Sequence, residues 1–363
     1  MPPAERTLTR RELNRALLAR QLLLERQDLP AADAIARVAG LQAQAPVPPF
    51  VGLWTRLGGF EESELRALID ERRIVRATMM RHTIHFVTAD DYVWMRPTIQ
   101  PALDASFGGQ TRTRLAGVSL ARFLDSARQE FAKRALTFAE VKQLIRTRAP
   151  DSDVDALAYA VRTHIELIGV PNGSRWRFGG RAPFASAEEW LGRPLEAPDP
   201  RELVRRYLAA FGPATPGDAT AWSGVGGMRA VFESMRHELR VFRDEAGREL
   251  FDVPDGLLPA ADSEAPVRFL PEYDNTLLGH RDRTRVIADE HRRLVYIGPG
   301  LMTGTVLVDG FAAATWRVRD GELVLEPFRI LTRAEKKAIE PEGEALFAWL
   351  HPDRGGSRIR FAG

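Results

Sequence analysis

The sequence predicts an α+β protein in which three tandem winged helix-turn-helix units precede a C-terminal antiparallel domain of β-barrel-like form. Two observations support this fold class. A block of a long helix, two shorter helices and two short strands recurs three times, and after Pro266 short strand-like runs replace the helical periodicity. The expected domains are a first winged helix at 1–97, a second at 98–196, a third at 197–260 and a β-rich scaffold domain at 261–363.

The first unit begins with an amphipathic helix in which leucines recur at helical spacing. It ends with an alternation of β-branched residues around a turn at 80–82, which is typical of a β-hairpin. Its predicted elements are helices at 9–27, 30–39, 49–57 and 63–70 and strands at 74–79 and 83–88.

The second and third units repeat this order. Thr137 and Glu140 form a predicted capping box, and the Pro-Asn-Gly run at 171–173 predicts a hairpin turn. The second unit is predicted to hold helices at 120–133, from 137 onward and at 151–165, with strands at 167–170 and 175–178. The third is predicted to hold helices at 199–211, 219–222 and 228–235, with strands at 239–243 and 249–253. This order is that of a winged helix, whose third helix usually enters a DNA groove.

The C-terminal domain is predicted to be mainly β-structure. Asp309-Gly310 and Asp320-Gly321 indicate tight hairpin turns. The predicted elements are strands at 267–271, 294–297, 303–308, 312–318, 322–330 and 357–361, and one helix at 332–350. We interpret them as a small antiparallel barrel or curled sheet that supports the winged helices.

Composition excludes several function classes. The 363 residues include no Cys, which excludes disulfides and thiolate chemistry, and the seven His form no evident metal-binding cluster, so we expect no metal and no cofactor. No apolar run approaches the roughly 18 residues of a membrane span, and the N-terminus lacks a signal-peptide core, so we expect a cytoplasmic protein. The net charge is only +2, so a DNA-binding protein of this composition must gather its positive charge on one face.

The segment Gln42-Ala43-Gln44 is the most informative chemical feature. It lies between a predicted helix and a Pro-rich break, and a spacing of two in extended backbone points both amides the same way. An amide side chain offers one acceptor and two donors without a charge, so the pair could hold and orient a water molecule. The alternative is that both are solvated polar residues near a turn.

Six segments, one of which contains the two glutamines, are informative through their order and spacing. They are Leu-Thr-Arg-Arg-Glu-Leu-Asn at 8–14, Gly-Leu-Gln-Ala-Gln-Ala-Pro at 40–46, Arg-His-Thr-Ile-His-Phe-Val at 81–87, Phe-Leu-Pro-Glu-Tyr-Asp-Asn at 269–275, Leu-Leu-Gly-His-Arg-Asp-Arg at 277–283 and Gly-Thr-Val-Leu-Val-Asp-Gly-Phe at 304–311. Together they resemble the AlkZ-like DNA glycosylases, which are built from tandem winged helices, over essentially the whole chain. The catalytic element of that family is Gln-x-Gln or Gln-x-Asp, and Gln42 and Gln44 match the first form.

The resemblance implies a monofunctional DNA glycosylase that hydrolyses the N-glycosidic bond of N7- or N3-alkylated purines, bulky or cross-linked ones included, in duplex DNA. Gln42 and Gln44 would position the water. An alkylated purine is already cationic and leaves without a strong acid, so orienting water against an oxocarbenium-like sugar is the remaining task. No nucleophilic Lys lies near the motif, so Schiff-base chemistry is not expected. We expect a monomer associated with the nucleoid.

The first predicted hairpin offers four more candidates, Arg81, His82, Thr83 and His85. By the resemblance, Thr83 and His85 would share one face and line the pocket beside the glutamines, with Arg81 and His82 at the pocket or at DNA. The alternative is a wing with ordinary polar residues, in which Arg81 contacts a phosphate at most.

The C-terminal domain offers two candidate groups. The first is the basic set His280, Arg281, Arg283 and Arg285. These side chains would contact phosphates, or else form ion pairs with the acidic residues that interrupt them. The second is Leu301 and Met302, which would act as apolar wedges at the damaged site or belong to a plain Gly-rich loop. Asp274 and Asn275 are expected to have a structural role at a turn.

Two functions of other classes remain open. The first is a non-enzymatic winged-helix regulator, which would leave a footprint on one DNA sequence and release no base. Three unequal fused units argue against it, because simple regulators usually dimerise on palindromic sites. The second is a protein-interaction scaffold, which absent or salt-insensitive DNA binding would indicate, since phosphate contacts make DNA affinity fall steeply with salt.

Overall fold

The computed structural model describes residues 5–115, 117–298, 300–353 and 359–362. Helices and strands are mixed throughout these ranges, which confirms the predicted α+β class. In the same ranges, no helix combines the length and the apolar character that crossing a membrane requires.

The N-terminal part places the glutamine segment at the edge of a sheet. Its elements are β1 (Thr7–Leu8), α1 (Arg10–Arg20), α2 (Ala31–Arg37), β2 (Leu41–Gln42), α3 (Pro48–Trp54), α4 (Glu62–Asp70), β3 (Ile74–Thr78) and β4 (Ile84–Thr88). A capping box between Thr9 and Glu12 begins α1. The predicted hairpin is confirmed, because β3 and β4 pair in antiparallel register around a short 3-10 turn, Met80–His82.

The second part contains helices that the sequence pattern did not predict. Its elements are α5 (Ala89–Thr98), α6 (Gln100–Ser106), α7 (Gly109–Arg114), α8 (Leu120–Lys133), α9 (Phe138–Arg148), α10 (Val154–His164), β5 (Leu167–Gly169), β6 (Phe184–Ser186) and α11 (Ala187–Leu191). Of these, α5, α6 and α7 fill the stretch between the first two predicted blocks, and α5 crosses the expected boundary between 97 and 98.

The partner of β5 differs from the prediction. The strand expected at 175–178 does not form, and β5 pairs instead with β6. The aromatic residues of the expected strand are used elsewhere: Trp176 packs edge-on against Phe50, and Phe178 packs against Phe86. Their alternation therefore reflected packing against the N-terminal core and not pairing in a hairpin.

One sheet joins the first two parts. Its strand order is β2-β4-β3-β5-β6, and the junction is the antiparallel pairing of Ala77 with Ile168. A single row of paired residues therefore runs from Gln42 through His85 and Ala77 to the second part.

The third part follows the predicted order closely. Its elements are α12 (Pro200–Phe211), α13 (Pro216–Ser223), α14 (Met228–Ser234), β7 (Arg240–Asp244) and β8 (Glu249–Asp252). Thr215 and Asp218 form a capping box at the start of α13. The N-terminal strand β1 adds to this hairpin in parallel with β7, so the chain's beginning completes the sheet of a distant part.

The C-terminal part contains an open sheet. Its elements are β9 (Arg268–Leu270), α15 (Asn275–Leu278), α16 (Arg292–Val295), β10 (Tyr296–Gly298), β11 (Leu301–Met302), β12 (Gly304–Val308), β13 (Phe311–Arg319), β14 (Glu322–Pro327), α17 (Arg333–Leu350) and β15 (Ile359–Phe361). The order is β15-β14-β13-β12-β9, and β14 and β15 are parallel. The expected barrel is thus not closed within the described residues, and the purely antiparallel arrangement was wrong. The first two residues of the strand predicted at 357–361 lie outside the described residues.

Candidate active site

Gln42 is buried at the end of β2. It lies opposite His85 in the ladder, and only 7% of its surface is exposed. Its Oε1 accepts a hydrogen bond of 2.9 Å from Nη2 of Arg81. A guanidinium has only donors, so the oxygen of the amide must be the atom that faces Arg81. Among the residues that the structure describes, none accepts a hydrogen bond from Nε2 of Gln42, so its protons remain available to a ligand.

Arg81 links this glutamine to the third and C-terminal parts. It lies in the 3-10 turn with a left-handed φ of 55°. Its Nη1 donates to the carbonyl of Trp222 at 2.8 Å, and its Nη2 also donates to Oδ1 of Asn275 at 3.0 Å. Burial, and then the charge of Arg283, lowers the pKa of Arg81 to about 10, so the side chain is still cationic at neutral pH.

Asn275 is held from two sides. Its Nδ2 donates to the carbonyl of Gly40, just before the glutamine segment, at 3.1 Å. The preceding residue, Asp274, forms a fully buried, bidentate ion pair with Arg56 in which both bonds are 2.9 Å. Burial opposes ionisation, but the Arg56 charge outweighs it, and the pKa of Asp274 is lowered. The predicted structural role of Asp274 is therefore observed, and Asn275 belongs to the network around Gln42.

Gln44 differs from Gln42 in its environment. Its side chain is exposed, and its Oε1 accepts a bond of 3.3 Å from the backbone N–H of Ile84. Its own carbonyl lies 3.4 Å from Nη2 of Arg76, whose Nε donates to the carbonyl of Ala43 at 3.1 Å. Both amide oxygens of the motif are thus engaged by protein donors, while one amide is fixed in the interior and the other reaches the surface.

His85 provides a neutral acceptor next to Gln42. It is fully buried, and its Nδ1 lies 3.2 Å from the carbonyl of Thr83. A carbonyl can only accept, so Nδ1 carries the proton and Nε2 presents a lone pair. Within the described ranges Nε2 has no partner. Burial, and then the charge of Arg81, lowers the pKa of His85 to about 3, so the ring is uncharged at neutral pH.

His82 and Thr83 are engaged by the protein itself. Nδ1 of His82 lies 2.8 Å from the hydroxyls of Ser106 and Tyr159, so this ring packs against the second part of the chain. Burial, followed by the charge of Arg162, lowers the pKa of His82 to about 4. The hydroxyl of Thr83 donates to the carbonyl at position 80 and closes the 3-10 turn.

His280 and Arg285 lie in the interior. His280 is 2% exposed with Nε2 3.0 Å from the carbonyl of Phe211, and Arg285 is 7% exposed and donates to the carbonyl of Pro213. Burial, and then the Arg285 charge, lowers the pKa of His280 to about 3. The expectation that both contact phosphates is corrected, because buried groups bonded to backbone carbonyls cannot reach DNA.

Arg281 and Arg283 are placed differently. Arg281 is exposed and lines a cleft of about 760 Å³, in which arginines alternate with acidic residues such as Asp282 and Asp289. Arg283 is half-buried, with its guanidinium 4.5 Å from the centre of the Tyr296 ring. These two residues, unlike their neighbours at 280 and 285, can meet a polyanion.

Helix α16 and the hairpin of β10 and β11 expose apolar side chains. Leu301 is 54% exposed, and Leu294 and Ile297 are 48% and 60% exposed. Met302 is only 5% exposed, which corrects its expected role as a wedge, because successive strand residues point to opposite faces and Met302 faces the core.

Sequence reasoning missed several members of this site. Asn275 was assigned a structural role only, and Trp222 acts through a backbone carbonyl that no pattern of side chains could indicate. The available signal was the segment at 269–275, which resembles a family motif and which the fold brings to the glutamines. Across the described residues, no three His, Asp or Glu side chains converge as they would around a metal ion.

Comparison with known proteins places this chain among the DNA glycosylases. The solved structure of Streptomyces sahachiroi DNA glycosylase AlkZ matches with a TM-score of 0.82 at 24% identity, covering 98% of this chain and 100% of that one. An interstrand DNA cross-link repair glycosylase from the same organism is 25% identical over 350 residues, which are 90% of this chain and 92% of the relative. The family described as DNA glycosylase AlkZ-like matches residues 35–349. The chain belongs to the AlkZ-like DNA glycosylase family, whose enzymes hydrolyse N-glycosyl bonds, and the predicted resemblance is confirmed.

Proposed function

We propose that this enzyme is a monofunctional DNA glycosylase that releases N7- or N3-alkylated purines, cross-linked ones included, with water positioned by Gln42 and Gln44. The observation that carries the proposal is the fixed amide of Gln42. Arg81 holds its oxygen, and among the described residues neither its nitrogen nor Nε2 of His85, opposite it in the ladder, has a partner.

The chemistry suits neutral groups. The amides and the uncharged His85 can donate to and accept from one water molecule, which orients its lone pair toward C1′ of the sugar. Neither glutamine contacts a carboxylate in the described part of the chain, so the Gln-x-Gln motif itself holds no acid for base departure. Selectivity for cationic alkylated purines follows, because these leave without prior protonation.

A similar protein and the exposed apolar side chains of this chain support bulky and cross-linked purines as substrates. The relative from S. sahachiroi is named for interstrand cross-link repair. On this chain, the exposed Leu294, Ile297 and Leu301 offer an apolar wedge beside Arg283, as unstacking of a damaged site requires. We expect a monomer to bind duplex DNA in this way.

Base release from duplex DNA that carries an N7-alkylguanine tests the proposal. Gln42→Ala, Gln44→Ala and the double variant should lose excision at least tenfold, while retaining DNA binding, because orientation of a reactant is worth several kcal/mol. Gln143→Ala on α9, which removes an exposed amide far along the chain, is the matched control and should excise normally.

A parallel substrate with an interstrand cross-link tests the wider scope. DNA binding by the wild type without release of any base, across small, bulky and cross-linked adducts, would contradict the proposal and favour a regulator or scaffold. Cleavage of the DNA backbone after base release would contradict the monofunctional assignment.

A further inference from the structure

Two arginines near Gln44 have no acidic partner among the residues that the structure describes. Arg76 on β3 is half-buried, and its Nε and Nη2 donate to the carbonyls of Ala43 and Gln44. Arg162 on α10 is also half-buried, and its Nε lies 3.4 Å from Oγ1 of Thr78, two residues along β3 from Arg76. Neither forms an ion pair with a carboxylate in the described ranges. The shared sheet therefore brings two cations from different parts of the chain to the glutamine motif.

These two charges repel each other. Burial, and then the charge of Arg162, lowers the pKa of Arg76 to about 10, and burial lowers the pKa of Arg162. Both guanidiniums are still protonated at neutral pH, so the free protein holds two like charges in a partly desolvated place. An anion bound between them would relieve this repulsion.

Other arginines of this region do pair with carboxylates, unlike Arg76 and Arg162 in the described ranges. In the segment that carries Phe178, which Arg76 contacts, Arg177 pairs with Asp70 at 2.5 Å and Arg175 pairs with Glu62. Arg76 instead lies 5.2 Å from the centre of the Phe178 ring, which with the two carbonyls fixes its orientation. A fixed guanidinium without a counter-ion is a site prepared for an external anion.

The geometry of the free donors indicates a phosphate. Nη1 of Arg76 and both Nη groups of Arg162 donate to no described residue, and forks of this kind match the oxygens of a phosphate. In DNA the sugar that carries the damaged base is bonded to phosphates on both sides. Resting on the proposed function, we propose that Arg76 and Arg162 bind one backbone phosphate next to the lesion and thereby hold its sugar against Gln44.

Salt-dependent binding of the full chain to duplex DNA tests this inference. Replacing both residues, Arg76→Gln with Arg162→Gln, should reduce the slope of log Kobs against log salt by about 0.9, the value for one phosphate contact, on damaged and undamaged duplexes alike. Arg177→Gln removes a paired arginine of the same region and should leave the slope unchanged. Arg76→Lys with Arg162→Lys keeps the charge and should retain most of the slope.

A neutral methylphosphonate in place of single phosphates near an N7-alkylguanine locates the contact. At one position the wild type should lose affinity several-fold, and the Gln variant should lose nothing further. An unchanged slope in a Gln variant with wild-type thermal stability would overturn the inference. If the double variant unfolds, the single variant Arg162→Gln replaces it, because this change removes only one hydrogen bond of 3.4 Å.

The two proposals fail in different ways. Base release by the wild type together with an unaltered salt slope in the variants would leave the glycosylase assignment intact and remove the phosphate site. A reduced slope without any base release would retain the phosphate site and remove the assignment of Gln42 and Gln44.

Discussion

At the scale of single residues, the site depends on which atom each side chain presents. Arg81 has only donors, so it selects the oxygen of Gln42 and leaves the amide nitrogen for a ligand. Asn275 in turn accepts from Arg81 and donates to Gly40. We therefore propose that Arg81 and Asn275 are positioning residues, which would act on a ligand through Gln42.

Replacing Asn275 by Ala should reduce base release with little change in DNA affinity. The change removes an acceptor from a cation, which costs about 1.5–3 kcal/mol, and frees Arg81 to rotate away from Gln42. Single-turnover excision should fall roughly tenfold or more, whereas Kd for the damaged duplex should stay within about twofold if only orientation is lost. Gln143→Ala, which removes an exposed amide on α9, is the control and should change neither value. An equal loss of affinity and rate would indicate a general structural defect instead.

At the scale of elements, two connections determine where the glutamines lie. The sheet β2-β4-β3-β5-β6 fixes the register of Gln42 against His85, and the turn before α15 brings Asn275 to the same place. That turn is anchored by the buried pair of Arg56 and Asp274. A buried pair of this kind is costly to break, because one partner then remains as an uncompensated charge.

Asp274→Ala should destabilise the protein by about 3–5 kcal/mol, since Arg56 would stay buried without its partner. Glu326→Ala, which breaks the exposed pair with Arg317, should change the free energy of unfolding by at most about 1 kcal/mol. Chemical denaturation of both variants measures the difference. Equal stabilities would show that the turn before α15 is held by other contacts.

At the scale of the whole molecule, charge is distributed unevenly between interior and surface. In the folded protein, His85 and His280 are buried in neutral form with pKa values of about 3, and His82 has a pKa of about 4. Their pKa in the unfolded chain is about 6.5, so the unfolded state binds more protons below that pH. Stability is therefore fully present above pH 6.5 and falls as the pH decreases toward the folded-state values.

The free energy of unfolding should fall between pH 7 and pH 5, by up to about 1.4 kcal/mol per pH unit for each buried histidine. His85→Leu should make this pH dependence shallower by about one proton, because it removes a ring that is buried in its neutral form. Urea titrations across this pH range measure the slopes. Parallel slopes for the wild type and His85→Leu would contradict the assignment of a neutral, buried ring.

The sequence correctly predicted features that depend on residues close together in the chain. The capping box at Thr137, the hairpin of β3 and β4, and the mixed class follow from short-range patterns, and each is observed. Longer-range features were missed. The partner of β5 and the parallel pairing of β1 and of β15 depend on segments that are apart in the chain. The periodicity of a sequence does not show which of its strands will pair.

The sequence by itself determined the α+β class and, through its resemblance, the family and the glutamine motif, because these depend on residue types at short spacing. The tertiary structure decided which candidates can act. It buried His280, Arg285 and Met302. It also brought Asn275 to Arg81, which holds Gln42, and Arg162 to the strand that carries Arg76. The physical reason is that burial and hydrogen-bond partners depend on contacts between residues far apart in sequence. Local sequence patterns carry no information about such contacts.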